Sequence, residues 1–259
     1  MSGIVTIKIG GKAAEQEPMV RALAGDIQLL RRESRVLLVH GGGAEVTRLS
    51  RQLGIEPVFR GGVRVTSAEE MDIVEMVLAG KVGKRLVRTL QSCGLQAVGL
   101  SGADGGIFLA QSQGREGEGR TCTGTVSRVR VELLALLLDK GYLPVLCSTS
   151  MDERGRGINV NADTVAFELA CALKSETLLF LSDTPGVLKD SRVLPRLDRE
   201  EAEREIRAGT ITGGMIPKVT SCLEALEEGV RSIIIGQYEA GGDLPSLMRG
   251  EKGTRISLD

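Results

Sequence analysis

Two apolar runs that end on glycines, each followed by a helical pattern, constrain this chain more than any other feature. Ile4-Val5-Thr6-Ile7-Lys8-Ile9 stops at Gly10-Gly11, and Val36-Leu37-Leu38-Val39 stops at His40-Gly41-Gly42-Gly43. The first is β-branched and reads as a strand entering a tight loop. The second is apolar without interruption, as a parallel strand covered on both faces must be. Behind them, Pro18–Glu33 places Met19, Leu23, Ile27 and Leu30 at helical spacing, and Ala44–Leu53 resumes that spacing. The alternation continues with strands at Gln96–Leu100, Ile107–Ala110, Thr125–Val129, Leu143–Ser148, Thr177–Ser182 and Ser232–Ile235. Helices are expected at Val131–Lys140, Asp163–Leu173, Asp198–Ala208 and Met215–Glu228. Strand, glycine turn and helix in repetition predict an α/β fold with a mostly parallel sheet. The softest lobe boundary is Lys174-Ser175, giving lobes 1–174 and 175–259.

Ser67-Ala68-Glu69-Glu70 has the spelling of a capping box. The helix it opens is expected to reach about Ser92, with a stripe at Met71, Val74, Leu78, Val82 and Leu86. Two roles stay open for it, an ordinary core helix or one that also packs on another subunit. The glycine-rich Gln113–Thr121 segment reads as a mobile hairpin or lid, or as a plain exposed loop.

Composition removes several classes of function. Lys and Arg number 33 against 34 Asp and Glu, so the basic excess of a nucleic-acid binder is missing. Aromatics are 2% with no Trp, which argues against base-stacking platforms. No stretch approaches the roughly 20 apolar residues of a membrane span, and Met1-Ser2-Gly3-Ile4-Val5 is unlike a signal peptide. Five scattered cysteines without a Cys-x-x-Cys pair fit reduced thiols in a cytoplasm. The single histidine, His40, cannot build a triad or a zinc site alone and reads as a buried strand-end residue. Chemistry is left to lysines, carboxylates and backbone amides.

Familiar phosphate-loop spellings are absent. Yet two glycine clusters stand at strand-to-helix junctions, where backbone N–H groups can hold an anion. Gly61-Gly62-Val63-Arg64-Val65-Thr66 offers one arginine, either for a substrate carboxylate or for a salt bridge. Ile158-Asn159-Val160-Asn161-Ala162-Asp163 carries more polar groups than helix capping requires, which favours a site. Thr210-Ile211-Thr212-Gly213-Gly214-Met215-Ile216-Pro217-Lys218 runs from a glycine loop into a helix. A lysine in those first turns opposes the macrodipole and either faces an anion or is a solvated surface residue.

In this order, Lys8-Ile9-Gly10-Gly11, His40-Gly41-Gly42-Gly43, Gly62-Val63-Arg64-Val65-Thr66, Gly99-Leu100-Ser101-Gly102, Asn159-Val160-Asn161-Ala162-Asp163, Ser182-Asp183-Thr184-Pro185-Gly186-Val187-Leu188 and Gly213-Gly214-Met215-Ile216-Pro217-Lys218 resemble the amino acid kinase family along nearly the whole chain. The resemblance implies a three-layer sandwich around a central, mostly parallel sheet, in two lobes. The amino-acid substrate and the dimer contact would lie in 1–174, and ATP in 175–259. It implies transfer of phosphoryl from ATP to the side-chain carboxylate of N-acetyl-L-glutamate, the second step of arginine biosynthesis. Lys8, Lys218 and Asp163 would be catalytic, the two lysines neutralising the phosphoryl group and Asp163 holding them. Gly11, Gly42 and Gly43 would offer amides, and Arg64, Asn159 and Asn161 would bind the amino-acid substrate. Asp183, Thr184, Pro185, Gly186, Val187 and Leu188, with Thr210, Ile211 and Thr212, would line the nucleotide site. Mg²⁺ would be held mainly through phosphates and water. A glutamyl carboxylate, with a pKa of about 4.3, is an anion already and needs no general base.

Two alternatives remain under the same resemblance: a sister kinase acting on carrier-protein-linked aminoadipate in lysine biosynthesis, and a non-catalytic amino-acid or nucleotide sensor. This sequence departs from the family's pattern at Gly83, where members often have Asn, and at Ala103, where a Lys is common. Arginine-inhibited relatives interlace dimers through an additional N-terminal helix, for which the residues before Lys8 are too few. The expectation is a homodimer, joined partly through the Ser67–Ser92 helix, that arginine does not inhibit.

Overall fold

The computed structural model describes residues 3–10, 12–114 and 121–258. Gly11 and most of the Gln113–Thr121 segment therefore lie outside the described residues. Contacts divide the chain into two compact units, Met1–Leu37 with Ala166–Asp259, and Leu38–Val165. The opening strand and helix thus group with the C-terminal segment, a division distinct from the one expected at Lys174-Ser175. A parallel sheet takes its strands from distant parts of a chain, so a compact unit need not be one contiguous stretch.

In the first unit, Ile4–Ile9 pairs in parallel with Thr177–Ser182, which pairs in parallel with Ser232–Gln237. Thr254–Ile256 adds an antiparallel strand, and Arg196–Leu197 runs parallel beyond it. Leu178, Leu179, Phe180 and Leu181 are all fully buried, the mark of a central strand covered on both faces. Helix Glu17–Leu30 starts with Pro18 in its first turn and buries Val20, Leu23, Ala24 and Ile27. Its Asp26 carboxylate accepts bonds from Tyr238 Oη and from the Gly242 and Leu244 amides, tying it to the last helix, Asp243–Arg249. Asp198 and Glu201 form the reciprocal capping box of Arg199–Arg207.

In the second unit, Leu38–His40 pairs in parallel with Leu143–Cys147, and Ala97–Leu100 does so on that strand's other side. Four further strands, Phe108–Ser112, Thr123–Val129, Thr149–Met151 and Gly157–Val160, close on themselves. The last two are short, and the reading of hydrophobic runs did not anticipate Thr149–Met151. The helix from Ser67 does extend to Ser92, but in three parts: Ala68–Glu75, a π-helical Met76–Val82, and Gly83–Ser92. Its whole stripe, Met71, Val74, Leu78, Val82 and Leu86, is buried in this unit's own core. Met76, on another face of the helix, is 56% exposed.

The expected capping box is half present. Ser67 Oγ accepts from Glu70 N at 3.0 Å, but the Glu70 carboxylate turns inward to Arg64 and Ser50 instead of back to the cap. A buried guanidinium outbids one backbone N–H for a carboxylate, because charge-assisted bonds are the stronger ones. All five cysteines are free thiols. Among the described residues no helix is long and apolar enough to cross a membrane.

Candidate active site

In the first unit, the parallel register fixes one lysine and the packing of a helix brings a second to the same face of the sheet. Lys8 is the register partner of Phe180, so both side chains leave the same face of the sheet. On that face the Phe180 ring meets Phe167 at 4.8 Å and the Lys218 ammonium at 5.1 Å, a cation–π distance. Lys218 lies in the first turns of helix Met215–Glu227, so its charge opposes the helix dipole and gains from the ring's negative face. The Lys8 ammonium curls toward the glycine turn, and a Cβ on Gly10 would lie 2.9 Å from its Nζ. Two cations therefore belong to one face of the sheet, and Lys8 lies near the carboxyl end of its strand, where open α/β sheets bind ligands.

The loop after Thr177–Ser182 stands at that same end. Asp183, Thr184 and Pro185 are exposed, with Ser182 Oγ 2.9 Å from Thr184 Oγ1. Gly186 and Val187 are buried, and Val187 N donates to Thr254 Oγ1 at 2.8 Å. Leu188 is again exposed. Thr210 and Ile211 donate their backbone N–H groups to the Glu205 carbonyl; Ile211 is buried and Thr212 exposed. Of these nine residues, Val187 and Ile211 have buried side chains and act as supports for their exposed neighbours.

In the second unit, Arg64 is 8% exposed and already engaged. Nη1 donates to Glu70 Oε1 at 2.6 Å, while Nη2 donates to Thr47 Oγ1 at 2.6 Å and to the Gly43 carbonyl at 3.1 Å. Its guanidinium also lies 4.8 Å from the Phe59 ring centre. The salt bridge left open by the sequence is therefore present, and it ties the glycine loop to the long helix. Around it, Thr123 Oγ1 donates to the Arg64 carbonyl and accepts from Thr66 N, and Thr66 Oγ1 accepts from Asn159 Nδ2 at 2.9 Å. Arg64 and Asn159 are thus fixed in one hydrogen-bonded cluster.

Asn161 caps the helix Ala162–Ala172, its Oδ1 accepting from Asp163 N at 2.8 Å. This leaves Asp163, half-buried, in the first turn of that helix. Gly41 packs against the same helix start, since a Cβ there would meet Ala162 Cβ at 3.4 Å. Gly42 and Gly43 open helix Gly43–Gln52. The glycine loop and the Asn159–Asp163 segment are therefore neighbours, although 115 residues of chain lie between them.

Sequence reasoning missed three contributors. Phe180 was hidden in a uniformly apolar strand, although it is one of four phenylalanines in the chain. Glu70 matched a capping pattern that concealed its second partner. Thr123 carried no signal at all, because its role depends on a strand pairing between distant segments. Among the described residues no group of three or more His, Cys, Asp or Glu side chains is placed to hold a metal ion.

The pattern defining the amino acid kinase family matches residues 3–237. The chain is 46% identical over 233 residues to an acetylglutamate kinase of Nostoc punctiforme, covering 88% of this chain and 78% of that one. It is 43% identical over 231 residues to the acetylglutamate kinase of Thermosynechococcus vestitus, covering 87% and 78%. Among solved structures, the smu.665 protein of Streptococcus mutans superposes with a TM-score of 0.83 at 26% identity, over 100% of both chains. The chain belongs to the amino acid kinase family.

Proposed function

We propose that this chain catalyses ATP-dependent phosphorylation of the side-chain carboxylate of N-acetyl-L-glutamate, forming N-acetyl-L-glutamyl 5-phosphate, the second step of arginine biosynthesis. The observation that carries the reading is that Lys8, the register partner of Phe180, and Lys218, 5.1 Å from the Phe180 ring, stand on one face of the parallel sheet. The similarity to the two acetylglutamate kinases supports the choice of acceptor.

The chemistry suits these residues. The acceptor is an anion at neutral pH, so the obstacle is charge repulsion and not proton removal. Lys8 and Lys218 offset the charge of the transferring phosphoryl group. Gly42 and Gly43 contribute amides at a helix start, and Gly11 is assigned the same role. Asp163 is the catalytic carboxylate. Arg64, Asn159 and Asn161 bind the amino-acid substrate, Arg64 doing so while it remains paired with Glu70. Asp183 to Leu188 and Thr210 to Thr212 receive the nucleotide. Mg²⁺, arriving with ATP and held through phosphates and water, would supply further charge neutralisation. In this reading the enzyme is a cytoplasmic homodimer, and the exposed Met76 on the long helix suits a subunit contact.

The test is ADP release from ATP with and without N-acetylglutamate, with the acyl phosphate trapped by hydroxylamine as a hydroxamate. ADP formation must depend on acetylglutamate and match the hydroxamate formed. ADP release indifferent to acetylglutamate, or preference for an aminoadipate-loaded carrier protein, would overturn the assignment.

A further inference from the structure

The proposed reaction makes no use of the chain's one histidine, which ends the strand Arg35–His40. Its ring is wholly buried, with Nδ1 at 2.8 Å from the Gly41 carbonyl oxygen. A carbonyl can only accept, so Nδ1 carries a proton. Burial pushes the imidazole pKa down from the usual 6.5 to about 4, which outweighs the upward pull of the Gly41 bond. The ring is therefore neutral at pH 7 and Nε2 is a bare lone pair. Two observations agree with that state: Nε2 has no hydrogen-bond partner among the described residues, and a Cβ on Gly83 would stand 3.4 Å from it. His40 is a fixed donor aimed at one peptide group.

Peptide planarity gives that donor a consequence. In a trans peptide the carbonyl of one residue and the N–H of the next point in opposite directions. Holding the Gly41 carbonyl against a buried ring turns the Gly42 N–H the other way. The Gly42 carbonyl accepts from Val46 N at 3.0 Å, and the Gly43 carbonyl accepts from Arg64 Nη2 at 3.1 Å. Three consecutive carbonyls are thus held, and the amides of Gly42, Gly43 and Ala44 are oriented opposite to them at the start of helix Gly43–Gln52. Such a set of amides recognises an anionic oxygen.

We propose that His40 is a positioning residue for phosphoryl transfer: its Nδ1–H pins the Gly41 carbonyl and thereby aims the Gly42 amide at an anionic oxygen of the reacting group. The proposal rests on the reading of the chain as a carboxylate kinase. It predicts that the donor at the Nδ1 position matters, and not the ring as such.

The experiment has one spectroscopic arm and two functional ones. With [15N]histidine in the full-length protein, the single imidazole should give a protonated Nδ1 and an unprotonated Nε2 at pH 7; the opposite tautomer overturns the proposal. His40→Asn keeps an amide donor near the Nδ1 position, whereas His40→Leu has none. His40→Gln, whose amide reaches instead toward Nε2, replaces the leucine variant should that one fail to fold. The donorless variant is expected to lose about tenfold to a hundredfold in kcat, the lower range for an electrostatic group misaligned rather than deleted. KM for both substrates should stay within about threefold, and His40→Asn should recover most of the turnover. Equal kcat in the folded asparagine and leucine variants, high or low, overturns the proposal. Calorimetric binding of MgADP–aluminium fluoride with N-acetylglutamate is the activity-free arm: affinity should fall in the leucine variant and persist in the asparagine variant. Equal affinity in all three proteins refutes the role of His40, whereas a wild-type protein that binds the mimic but releases no ADP refutes the assigned activity alone.

Discussion

Two glycine loops open helices in this molecule, and they are built in contrasting ways. Around Gly41 and Gly42 the protein packs closely, while a Cβ on the exposed Gly43 would meet no atom within 4 Å. A Cβ on Gly42 would lie 2.8 Å from Leu78 Cδ2 and 3.1 Å from Val82 Cγ2, and the carbonyls are held by His40, Val46 and Arg64. Around Gly213–Gly214 nothing crowds the backbone, since a Cβ on either would meet no atom within 4 Å. Gly213 has a conformational reason, with φ of +55°. Gly214 has none, with φ of −66° and open space around it. In the first loop Gly42 is a glycine because of what the protein puts beside it. The second contains a glycine that nothing among the described residues requires, which is what the approach of a ligand to the backbone would require.

Charge deletion should separate the loops most sharply. Glu70→Ala strips the partner from buried Arg64, and leaving one buried charge unpaired costs about 3–5 kcal/mol. That loss should be read in urea unfolding, and a change below about 1 kcal/mol would mean that the pair does not hold the first loop. Lys218→Ala, behind the open loop, should leave unfolding nearly unchanged and lower kcat by roughly a hundredfold or more. If Glu70→Ala spared stability while Lys218→Ala destroyed it, the contrast between a braced loop and an open one would be inverted.

How much of this was legible beforehand follows the range of the interactions. The strands ending on glycine, the helices behind them and the Asp198 cap depend on residues within one or two turns, and they appear where the sequence predicts them. The buried stripe from Met71 to Leu86 was legible for the same reason, since helical spacing alone puts it on one face. The π-helical turn at Met76–Val82 was not, because a 3.6-residue pattern carries no mark of one extra residue per turn. The double role of Glu70 was invisible for a further reason: its second partner is chosen by packing between segments, which local spelling cannot report. Arg64 lay between these cases. Its chemistry suggested a carboxylate partner, and the buried partner seen here belongs to the chain itself.

The brace can also be titrated. In the folded protein burial, aided by the positive charge of Arg85, holds His40 neutral down to about pH 4, while in the unfolded chain the ring protonates near 6.5. Between those values the unfolded chain binds the extra proton, so stability is lost as pH falls through the window from 6.5 toward 4. From pH 7 to pH 5 the loss from this group amounts to about 2 kcal/mol, taking 1.36 kcal/mol per unit. His40→Asn lacks a titrating ring and should lose about 2 kcal/mol less than wild type over the same interval, measured by urea unfolding at both pH values. Parallel losses in the two proteins would mean that a proton reaches the native ring easily, and the first loop would be less closed than its packing implies.

The smallest effect is expected at Gly214, and it discriminates most finely. Its φ of −66° and ψ of −12° are open to any L-residue, and no neighbour stands where the methyl group would go. Replacing glycine by alanine at such a position restricts the unfolded chain and stabilises by about 0.4–1 kcal/mol. Thermal unfolding of Gly214→Ala should therefore show a slight gain, in contrast to a side chain added at the crowded Gly42. If the space is kept clear for the nucleotide, the same variant should raise KM for ATP while leaving KM for N-acetylglutamate unchanged, because the methyl group would stand between the ligand and the backbone. A gain in stability with unaltered KM for ATP would leave the openness of this loop without a nucleotide to explain it, and the phosphates would then have to be sought at the Lys8 turn alone.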